Sequence, residues 1–180
     1  MSELSHELST EPIIQAYFKQ NNILAKHQIE SYNDYVDNII PNILNQYSPI
    51  SVDFDNENSN IKKITLTLLT DTLIYEDCKY NENNGVEKDL LPSIAILRNY
   101  SYISSMFIDI VVTTEIKEND NNIILPDKVL KNVFIGNIPI MVGSKYCMNV
   151  KNNIAPGCKY DIGGYFIING SEKTIIPQER

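Results

Sequence analysis

An asparagine-glycine pair near the C-terminus constrains the fold more than any other feature of the sequence. Asn169-Gly170, or Gly170-Ser171 if the register shifts by one residue, lies between the apolar runs 165–168 and 174–176. Asn and Gly adopt positive φ at little cost, and the two-residue turns of β-hairpins require positive φ. The sequence therefore predicts a C-terminal β-hairpin.

A pair of glycines precedes the first run of this hairpin. Gly163 and Gly164 lack a Cβ atom, which allows a sharp turn or a close approach of two backbones where the chain enters the strand. We interpret Asp161 as an Asx-type turn leading into Gly163, and Glu172 as a cross-strand partner for a lysine. These interpretations give both carboxylates structural roles.

The composition is that of one ordinary globular domain. The chain has 180 residues, 43% of them hydrophobic, and no apolar run is long enough to cross a bilayer. The first twelve residues, MSELSHELSTEP, lack the basic and apolar regions of a signal peptide, so we expect an intracellular protein with no membrane partner. Residues 1–10 are polar and are expected to form a flexible tail.

The titratable residues form no recognisable catalytic or metal site. Cys78, Cys147 and Cys158 are far apart and odd in number, so we expect buried thiols rather than disulfides or zinc ligands. His6 and His27 do not resemble ligands or general bases. The net charge of −8 argues against a free-standing nucleic-acid binder, but it does not exclude one part of a larger assembly. No DxD pattern supplies the clustered carboxylates that two-metal nucleotidyl transfer needs.

Two helices are predicted at the N-terminal end. Thr10 or Glu11 begins the first with Pro12 in its first turn, Asn21-Asn22 ends it, and Pro41 should kink or end the second. The apolar faces at helical spacing are Ile13, Ile14, Tyr17 and Phe18 in the first helix, and Ile29, Tyr32, Val36, Ile39 or Ile40, and Ile43 in the second.

Strands and polar loops follow the helices. Ile64, Leu66 and Leu68 alternate with threonines, the period-two pattern of a half-buried strand, and Gly136-Asn137 predicts a turn. The predicted strands are 64–68, 72–75, 100–112 and 133–135, and the predicted loops are 52–60, 76–89 and 117–123. The sequence therefore predicts an α+β fold, with two N-terminal helices packed on a mostly antiparallel sheet and a C-terminal β-hairpin.

Several segments together resemble a known family. GGYFIINGSEK, followed by an aliphatic run and QER, is similar to a segment shared by the second-largest (β-type) subunits of multisubunit DNA-dependent RNA polymerases, in their protrusion domain. The helical span IIQAYFKQNNILAKHQIESYNDYVDNII and the segment VFIGNIPIMVGSKYC also resemble family segments. Further matches are Pro92, Ala95, Leu97, Arg98, Asn99, Tyr102, Phe107 and Asp109. The chain departs from the family at Ile96 and Gly143, where relatives have basic residues, and at Lys159, where they often have proline.

The resemblance implies a role in transcription. Residues 11–180 would be the N-terminal part of the protrusion, truncated before the lobe domain, and would form part of one wall of the DNA cleft. The partners implied are the largest subunit, the remainder of the second-largest subunit and the DNA template. The resemblance places the catalytic Mg²⁺ in the largest subunit, with no catalytic residue or cofactor in this piece. It places the protein in the nucleus if the source is eukaryotic, or in a virion or cytoplasmic factory if it is a large DNA virus.

The basic residues inside the matching segments are candidates to face nucleic acid. They are Arg98, Lys145, Lys173 and Arg180. For each one, a solvated charge at a strand edge is the competing interpretation. The aromatic residues Tyr100, Tyr102, Tyr165 and Phe166 could stack on bases, although burial in the sheet explains them more simply.

Two other functional interpretations stay open from the sequence. The chain could be a free-standing polymerase-like fragment that binds a partner protein through an open sheet edge. It could also be a small enzyme of unknown chemistry, which the absence of a nucleophile and base pair disfavours.

Overall fold

The computed structural model describes residues 10–19, 23–54, 61–82, 85–118, 121–155, 158, 160–176 and 178. The helical segments are α1 (Glu11–Phe18), α2 (Lys26–Asp34), a π-helical turn (Tyr35–Ile39), α3 (Ile40–Tyr47), α4 (Pro92–Leu97) and α5 (Met148–Lys151). The strands are β1 (Ile50–Asp53), β2 (Ile61–Tyr75), β3 (Lys79–Asn81), β4 (Glu87–Asp89), β5 (Ile103–Glu118), β6 (Asn121–Ile124), β7 (Lys128–Pro139), β8 (Phe166–Ile168) and β9 (Ser171–Lys173).

An antiparallel sheet of five strands forms the body of the molecule. Its order is β1-β2-β5-β6, and β7 pairs with β5 on the same side as β6, nearer the start of that strand. The strands β2 and β5 are unusually long, with 15 and 16 residues. Strands β3 and β4, and strands β8 and β9, pair as separate two-stranded hairpins. The predicted α+β class, the mostly antiparallel sheet and the C-terminal hairpin are confirmed.

The second predicted helix continues past Pro41 instead of ending there. Pro41 lies in the first turn of α3, where its missing N–H is least costly, and the irregularity precedes it as the π-helical turn. In that turn the amide of Ile40 donates to the carbonyl oxygen of Tyr35. Tyr32, Val36 and Ile40 remain on one face across the turn and are buried. The predicted stripe therefore packs on the core at Ile29, Tyr32, Val36 and Ile40, whereas Ile43, its last member, is 41% exposed.

The first helix differs from the second in its packing. α1 begins after Thr10 as predicted, but none of its residues is buried. Ile13 is 69% exposed and Phe18 is 61% exposed, so its apolar face does not contribute to the core.

The core lies where α2, the loop before α5 and the C-terminal hairpin meet. Its fully buried side chains include Tyr102, Ile140, Cys147 and Ile167. The Tyr102 hydroxyl accepts a 2.8 Å hydrogen bond from the backbone amide of Met148 and lies 3.7 Å from Cys147 Sγ. Burial raises the pKa of this hydroxyl, so it stays protonated.

Three stretches predicted as loops contain strands. β1 extends to Asp53 inside the predicted loop 52–60, the hairpin β3–β4 lies within 76–89, and 117–123 contains the end of β5 and the start of β6. Residues 55–60, 83–84 and 119–120 lie outside the described residues. Backbone hydrogen bonds are independent of side-chain polarity, so the pairing of β1 with β2, of β6 with β5 and of β3 with β4 holds polar residues in extended conformation.

The turn predicted at Gly136-Asn137 is wrong. β7 runs through both residues, which pair with Met106 and Ser105 of β5. The positive φ in this region belongs to Asn132 (φ 50°), whose amide donates a 2.8 Å hydrogen bond to Asp109 Oδ1. This contact accompanies an irregularity in the pairing of β5 with β7, a β-bulge that glycine content does not reveal.

Two predictions for single residues are also wrong. Cys158 is exposed, whereas Cys78 and Cys147 are buried as expected. Burial raises the pKa of the Cys78 thiol to about 12, which keeps it protonated. Glu172 pairs across the hairpin with Ile167 rather than with a lysine, because the Asn169-Gly170 turn fixes the register.

Candidate nucleic-acid interface

The C-terminal hairpin turns at Asn169 and Gly170. Both residues have positive φ, 50° and 72°, and Ile168 pairs with Ser171 directly across the turn. The register is therefore the first of the two alternatives, with Asn169-Gly170 at the centre of the turn.

The tip of this hairpin is fixed to the segment that follows α4. The amide of Gly170 donates to the carbonyl oxygen of Tyr100 at 3.0 Å, and the amide of Asn169 donates to Ser101 Oγ at 3.0 Å. A Cβ atom on Gly170 would lie 2.5 Å from Asn99 Oδ1, so a side chain there would also collide with its neighbour. Deeper in the hairpin, the amide of Tyr102 donates to the carbonyl oxygen of Ile167 at 2.8 Å.

The glycine pair lets the hairpin approach the rest of the core. Gly163 (φ 70°) and Gly164 (φ 84°) both have positive φ. A Cβ on Gly163 would lie 2.6 Å from the carbonyl oxygen of Val142, and one on Gly164 would lie 2.9 Å from Ala25 Cβ. The amide of Gly164 donates to the Val142 carbonyl oxygen at 2.8 Å. Close backbone approach explains why a side chain does not fit at either position.

Asp161 forms the Asx turn inferred from the sequence. Its Oδ1 accepts a 2.9 Å hydrogen bond from the amide of Gly163. Its Oδ2 accepts a 2.8 Å hydrogen bond from the hydroxyl of Tyr165. Burial, and then this hydrogen bond, raise the pKa of Tyr165. Asp161 therefore holds the entry to the hairpin in place.

Arg98, at the end of α4, is engaged by neighbouring side chains. Its Nη2 lies 3.9 Å from Glu82 Oε1, and its guanidinium carbon lies 5.2 Å from the centre of the Tyr80 ring. Lys88 Nζ also pairs with Glu82, at 2.8 Å. These contacts connect α4 to the β3–β4 hairpin, although the Arg98 side chain is still 43% exposed.

Lys145 is fixed to the π-helical turn. Its Nζ pairs with Asp37 Oδ2, and its backbone amide donates to Asn33 Oδ1 at 3.2 Å. Tyr146 OH donates to the other oxygen of Asp37 at 2.5 Å. Burial alone would raise the pKa of Asp37, but the hydrogen bonds from Lys145 and Tyr146 outweigh it and hold the pKa below its ordinary value.

Lys173 borders a deep concavity in the described part of the chain. This concavity has a volume of about 790 Å³ and lies between α2 and the hairpin. Its walls are mainly apolar, and they include Tyr35, Ile39, Met141, Phe166 and Ile168. Within the described residues, no carboxylate forms an ion pair with Lys173, in contrast to Lys145 and Arg98.

The structure places the candidate basic residues in three separate environments. Arg98 belongs to the β3–β4 side, Lys145 to the π-helical turn and Lys173 to the concavity, and Arg180 lies outside the described residues. Their carboxylate partners Asp37 and Glu82 were missed from the sequence. Asp37 lies 108 positions from Lys145 along the chain, and no local spacing signals such a pair.

The aromatic candidates differ in their exposure. Tyr102 is fully buried, Tyr165 and Phe166 are partly buried, and Tyr100 is 38% exposed and stacks near Tyr80. Burial therefore accounts for Tyr102, as the simpler interpretation held. Among the residues that the structure describes, no group of three or more His, Cys, Asp or Glu side chains could hold a metal ion. No helix in this part of the chain is both long and apolar enough to span a membrane.

Comparison with known proteins identifies the family. The family model described as RNA polymerase beta subunit matches residues 23–180. DNA-directed RNA polymerase II subunit 2 of Arabidopsis thaliana is 29% identical over 178 residues, which cover 93% of this chain and 15% of the relative. DNA-directed RNA polymerase subunit 2 of Acanthamoeba polyphaga mimivirus is 36% identical over 169 residues, covering 89% of this chain and 13% of the relative. DNA-directed RNA polymerase subunit Rpo2N of Methanococcus vannielii is 29% identical over 175 residues, covering 93% and 32%.

These matches cover nearly the whole chain but only a small part of each relative. The chain spans about 15% of the length of the plant relative and 32% of the archaeal one. The matched range of the family model contains every strand, the α2–α3 helical segment and the hairpin described above. The chain therefore belongs to the RNA polymerase beta subunit family.

Proposed function

We propose that this chain is the N-terminal part of the second-largest subunit of a DNA-directed RNA polymerase, and that it forms part of one wall of the DNA cleft during transcription. The observation that carries the proposal is the family match over residues 23–180, joined to relatives from a plant, a virus and an archaeon that are all named DNA-directed RNA polymerase subunits. The partners are then the largest subunit, the remainder of the second-largest subunit and the DNA template.

The piece serves this role as a scaffold rather than as a catalyst. Asp37 pairs with Lys145, and Glu82 pairs with Lys88 and Arg98. Asp161 accepts a hydrogen bond from the amide of Gly163 in its Asx turn. Nucleotidyl transfer with magnesium needs carboxylates that converge on the ions. We therefore assign the magnesium to the largest subunit and expect the isolated chain to be inactive.

Among the candidate basic residues, Lys173 is best suited to face nucleic acid. An ammonium at the rim of a concavity, without an ion pair among the described residues, retains its charge for a phosphate, whereas the charges of Lys145 and Arg98 are already partly neutralised by Asp37 and Glu82. The side chain of Lys173 is exposed, so no burial penalty opposes such a contact.

Affinity purification from the source cells tests the proposal. The tagged chain should co-purify with a largest polymerase subunit, and the purified material should make RNA on a DNA template, whereas the isolated chain should not. The source compartment follows, with the nucleus expected in a eukaryote and a virion or cytoplasmic factory for a virus. Recovery of the chain without any polymerase subunit would contradict the proposal.

The free-standing binding module remains the alternative that this experiment addresses. None of the relatives named above carries a name that describes such a module. A stable complex with one unrelated protein through the edge of β1 or β7 would be the result that favours it.

A further inference from the structure

The Asn-Gly pair at the tip of the C-terminal hairpin is chemically reactive as well as structural. Asparagine is among the thermally labile residues, and a following glycine favours its deamidation because glycine has no side chain to restrict the motion of its amide nitrogen. Asn99, Asn132 and Asn153 also have positive φ, but tyrosine, valine and isoleucine follow them. Among the described asparagines with positive φ, Asn169 is therefore the one whose sequence favours the reaction.

Deamidation of Asn169 takes two steps and needs only water as a co-reactant. In the first step, the Gly170 nitrogen forms a bond to Asn169 Cγ and loses its proton, while the bond from Cγ to Nδ2 breaks and Nδ2 leaves as ammonia. In the second step, water adds to one of the two carbonyl carbons of the succinimide ring, and the ring nitrogen takes a proton as its bond to that carbon breaks. Ring opening at Cγ gives aspartate, and opening at the backbone carbonyl carbon gives isoaspartate.

The backbone of the turn opposes the first step. The ring closes only when the Gly170 nitrogen lies on the same side of the Asn169 Cα–C bond as Cβ. Asn169 has φ 50° as the first residue of a two-residue turn, and left-handed backbone has a ψ of about +47°. For an L-residue this ψ places the next nitrogen on the side opposite Cβ. The nitrogen must therefore rotate around the Cα–C bond before it can react.

The segment that follows α4 opposes that rotation. The Gly170 amide donates to the Tyr100 carbonyl oxygen at 3.0 Å. Ser101 Oγ accepts a 3.0 Å hydrogen bond from the amide of Asn169 and donates another of 3.0 Å to Asn169 Oδ1. The position of a Cβ on Gly170 lies 2.8 Å from Asn99 Cα, so the two backbones are in close contact. This segment therefore keeps the reacting nitrogen and the side-chain carbonyl carbon apart.

We infer that Asn169 is a deamidation site that is gated by the attachment of the hairpin tip to residues 99–101. While the tip is attached, the asparagine persists, and when the tip detaches, the asparagine reacts as it does in a flexible peptide. The rate in the folded chain is then the peptide rate multiplied by the fraction of chains whose tip is detached. This inference goes beyond the proposed function and holds whether or not the chain is part of a polymerase.

Formation of isoaspartate prevents the hairpin from closing again. Isoaspartate lengthens the main chain by one atom, and a turn of two residues fixes the pairing of Ile168 with Ser171. A chain that contains isoaspartate at this position therefore cannot close the hairpin in the same register. The modification thus marks the chains whose hairpin has stayed open.

The first test compares the folded 180-residue chain with a synthetic peptide of residues 165–174, which contains the same Asn-Gly pair. Both are incubated at the same mildly alkaline pH, and chromatography with mass spectrometry measures asparagine, aspartate and isoaspartate at position 169. We expect the folded chain to react at least about 100-fold more slowly than the peptide, because the opening of a hydrogen-bonded segment is a minor state. Equal rates would overturn the inference.

A pair of serine substitutions tests whether residues 99–101 are the gate. Ser101→Ala removes both hydrogen bonds between this hydroxyl and Asn169, and it should raise the deamidation rate about tenfold. Ser105→Ala is the matched control, because the Ser105 hydroxyl donates to Asn137 Oδ1 of β7 at 3.1 Å, and it should leave the rate unchanged. Equal rates in the two variants would show that this segment does not gate the reaction.

Two further measurements keep the test decisive if Ser101→Ala weakens the whole fold. Circular dichroism compares the folding of the two variants, and the other Asn-Gly pair of the sequence, Asn84-Gly85, reports the reaction conditions in each sample. In the unsubstituted chain, urea at concentrations below the unfolding transition should speed the reaction at Asn169, because detachment of the tip exposes backbone to the denaturant. A rate that rises only with global unfolding would overturn gating by the hairpin tip.

Discussion

Two halves of one sheet contain similar residues and have different surroundings. In the near half, towards the start of β5, Ile108 is 1% exposed, and the neighbouring Met106 packs against the core cluster, which includes Ile40 of α3 and Ile167 of the C-terminal hairpin. In the far half, Ile110 is the same amino acid on the same strand and the same face, yet it is only partly buried. Hydrophobic character alone therefore does not tell where a core ends. The end of the core is set by which elements lie over the sheet.

Substituting Ile108 and Ile110 by alanine, one at a time, tests this difference in burial most directly. We expect Ile108→Ala to lower the free energy of unfolding by about 2–5 kcal/mol, because it leaves a cavity in a buried site. Ile110→Ala should cost about 1 kcal/mol, because its methyl groups are already partly hydrated. Urea unfolding of the isolated chain measures both, and equal losses would show that the far half is as well covered as the near half.

The hairpin that closes the near half is sensitive to added side chains at its tip. Gly170→Ala should destabilise the chain by more than the about 1–2 kcal/mol that left-handed backbone costs a residue with a Cβ, because the new atom also overlaps Asn99.

Gly85→Ala is the matched control for this substitution. Gly85 has φ 78°, but no atom lies within 4 Å of the position of its Cβ. The difference between the two thermal midpoints isolates the steric term. If the two variants melt together, the hairpin tip does not contact Asn99.

Loss of the Tyr102 hydroxyl should lower the free energy of unfolding more than loss of the hydroxyl of Tyr100, a partly exposed residue two positions earlier. Tyr102→Phe leaves the buried amide of Met148 without its 2.8 Å partner and should cost about 1–3 kcal/mol. Tyr100→Phe removes a hydroxyl from a ring that is 38% exposed and should change stability by less than about 0.5 kcal/mol. Chemical unfolding measures both variants, and a neutral Tyr102→Phe would argue that another group replaces the lost hydrogen bond.

The smallest changes in stability are expected for substitutions of the surface lysines, and for Lys145 the change depends on pH. The pKa of Asp37 is lowered in the folded chain, so its pairing stabilises the fold above the unfolded carboxyl pKa of about 4, and this stabilisation is lost as the pH falls through the folded value. Lys145→Ala should therefore cost less than about 1 kcal/mol at pH 7, because the pair is partly exposed, and nothing at low pH.

Lys173→Ala provides the comparison for Lys145→Ala. Because Lys173 is exposed and has no ion pair within the described residues, its removal should leave stability unchanged at every pH. A loss as large as that of Gly170→Ala would show that Lys173 is structural and would argue against its proposed position near nucleic acid. The measurement is the thermal midpoint of both lysine variants from pH 3 to about 7.

Sequence reasoning succeeded where local rules decide the structure. The Asn169-Gly170 turn, the Asx turn at Asp161 and the stripe from Tyr32 to Ile40 all follow from residues close together in the chain. It missed the β3–β4 hairpin, whose strands carry mostly polar side chains, and it failed where distant partners decide, as in β7 at Gly136, whose conformation is set by pairing with β5. The partners of Lys145 and Arg98 belong to the same class, because a carboxylate many residues away leaves no signal in the spacing.

The position of Ile167 in the core has a consequence for biosynthesis. The ribosome makes the chain from its N-terminus, so Tyr102 and Ile140 emerge before the strand that covers them, and the carbonyl group of Ile167 that bonds to the amide of Tyr102 comes 65 residues after it in the chain. Contacts between such distant residues form slowly and leave apolar surface open to chaperones and to aggregation in the interval. A nascent chain that stops before the hairpin lacks the carbonyl group that bonds to the amide of Tyr102 and should therefore be held unfolded or degraded.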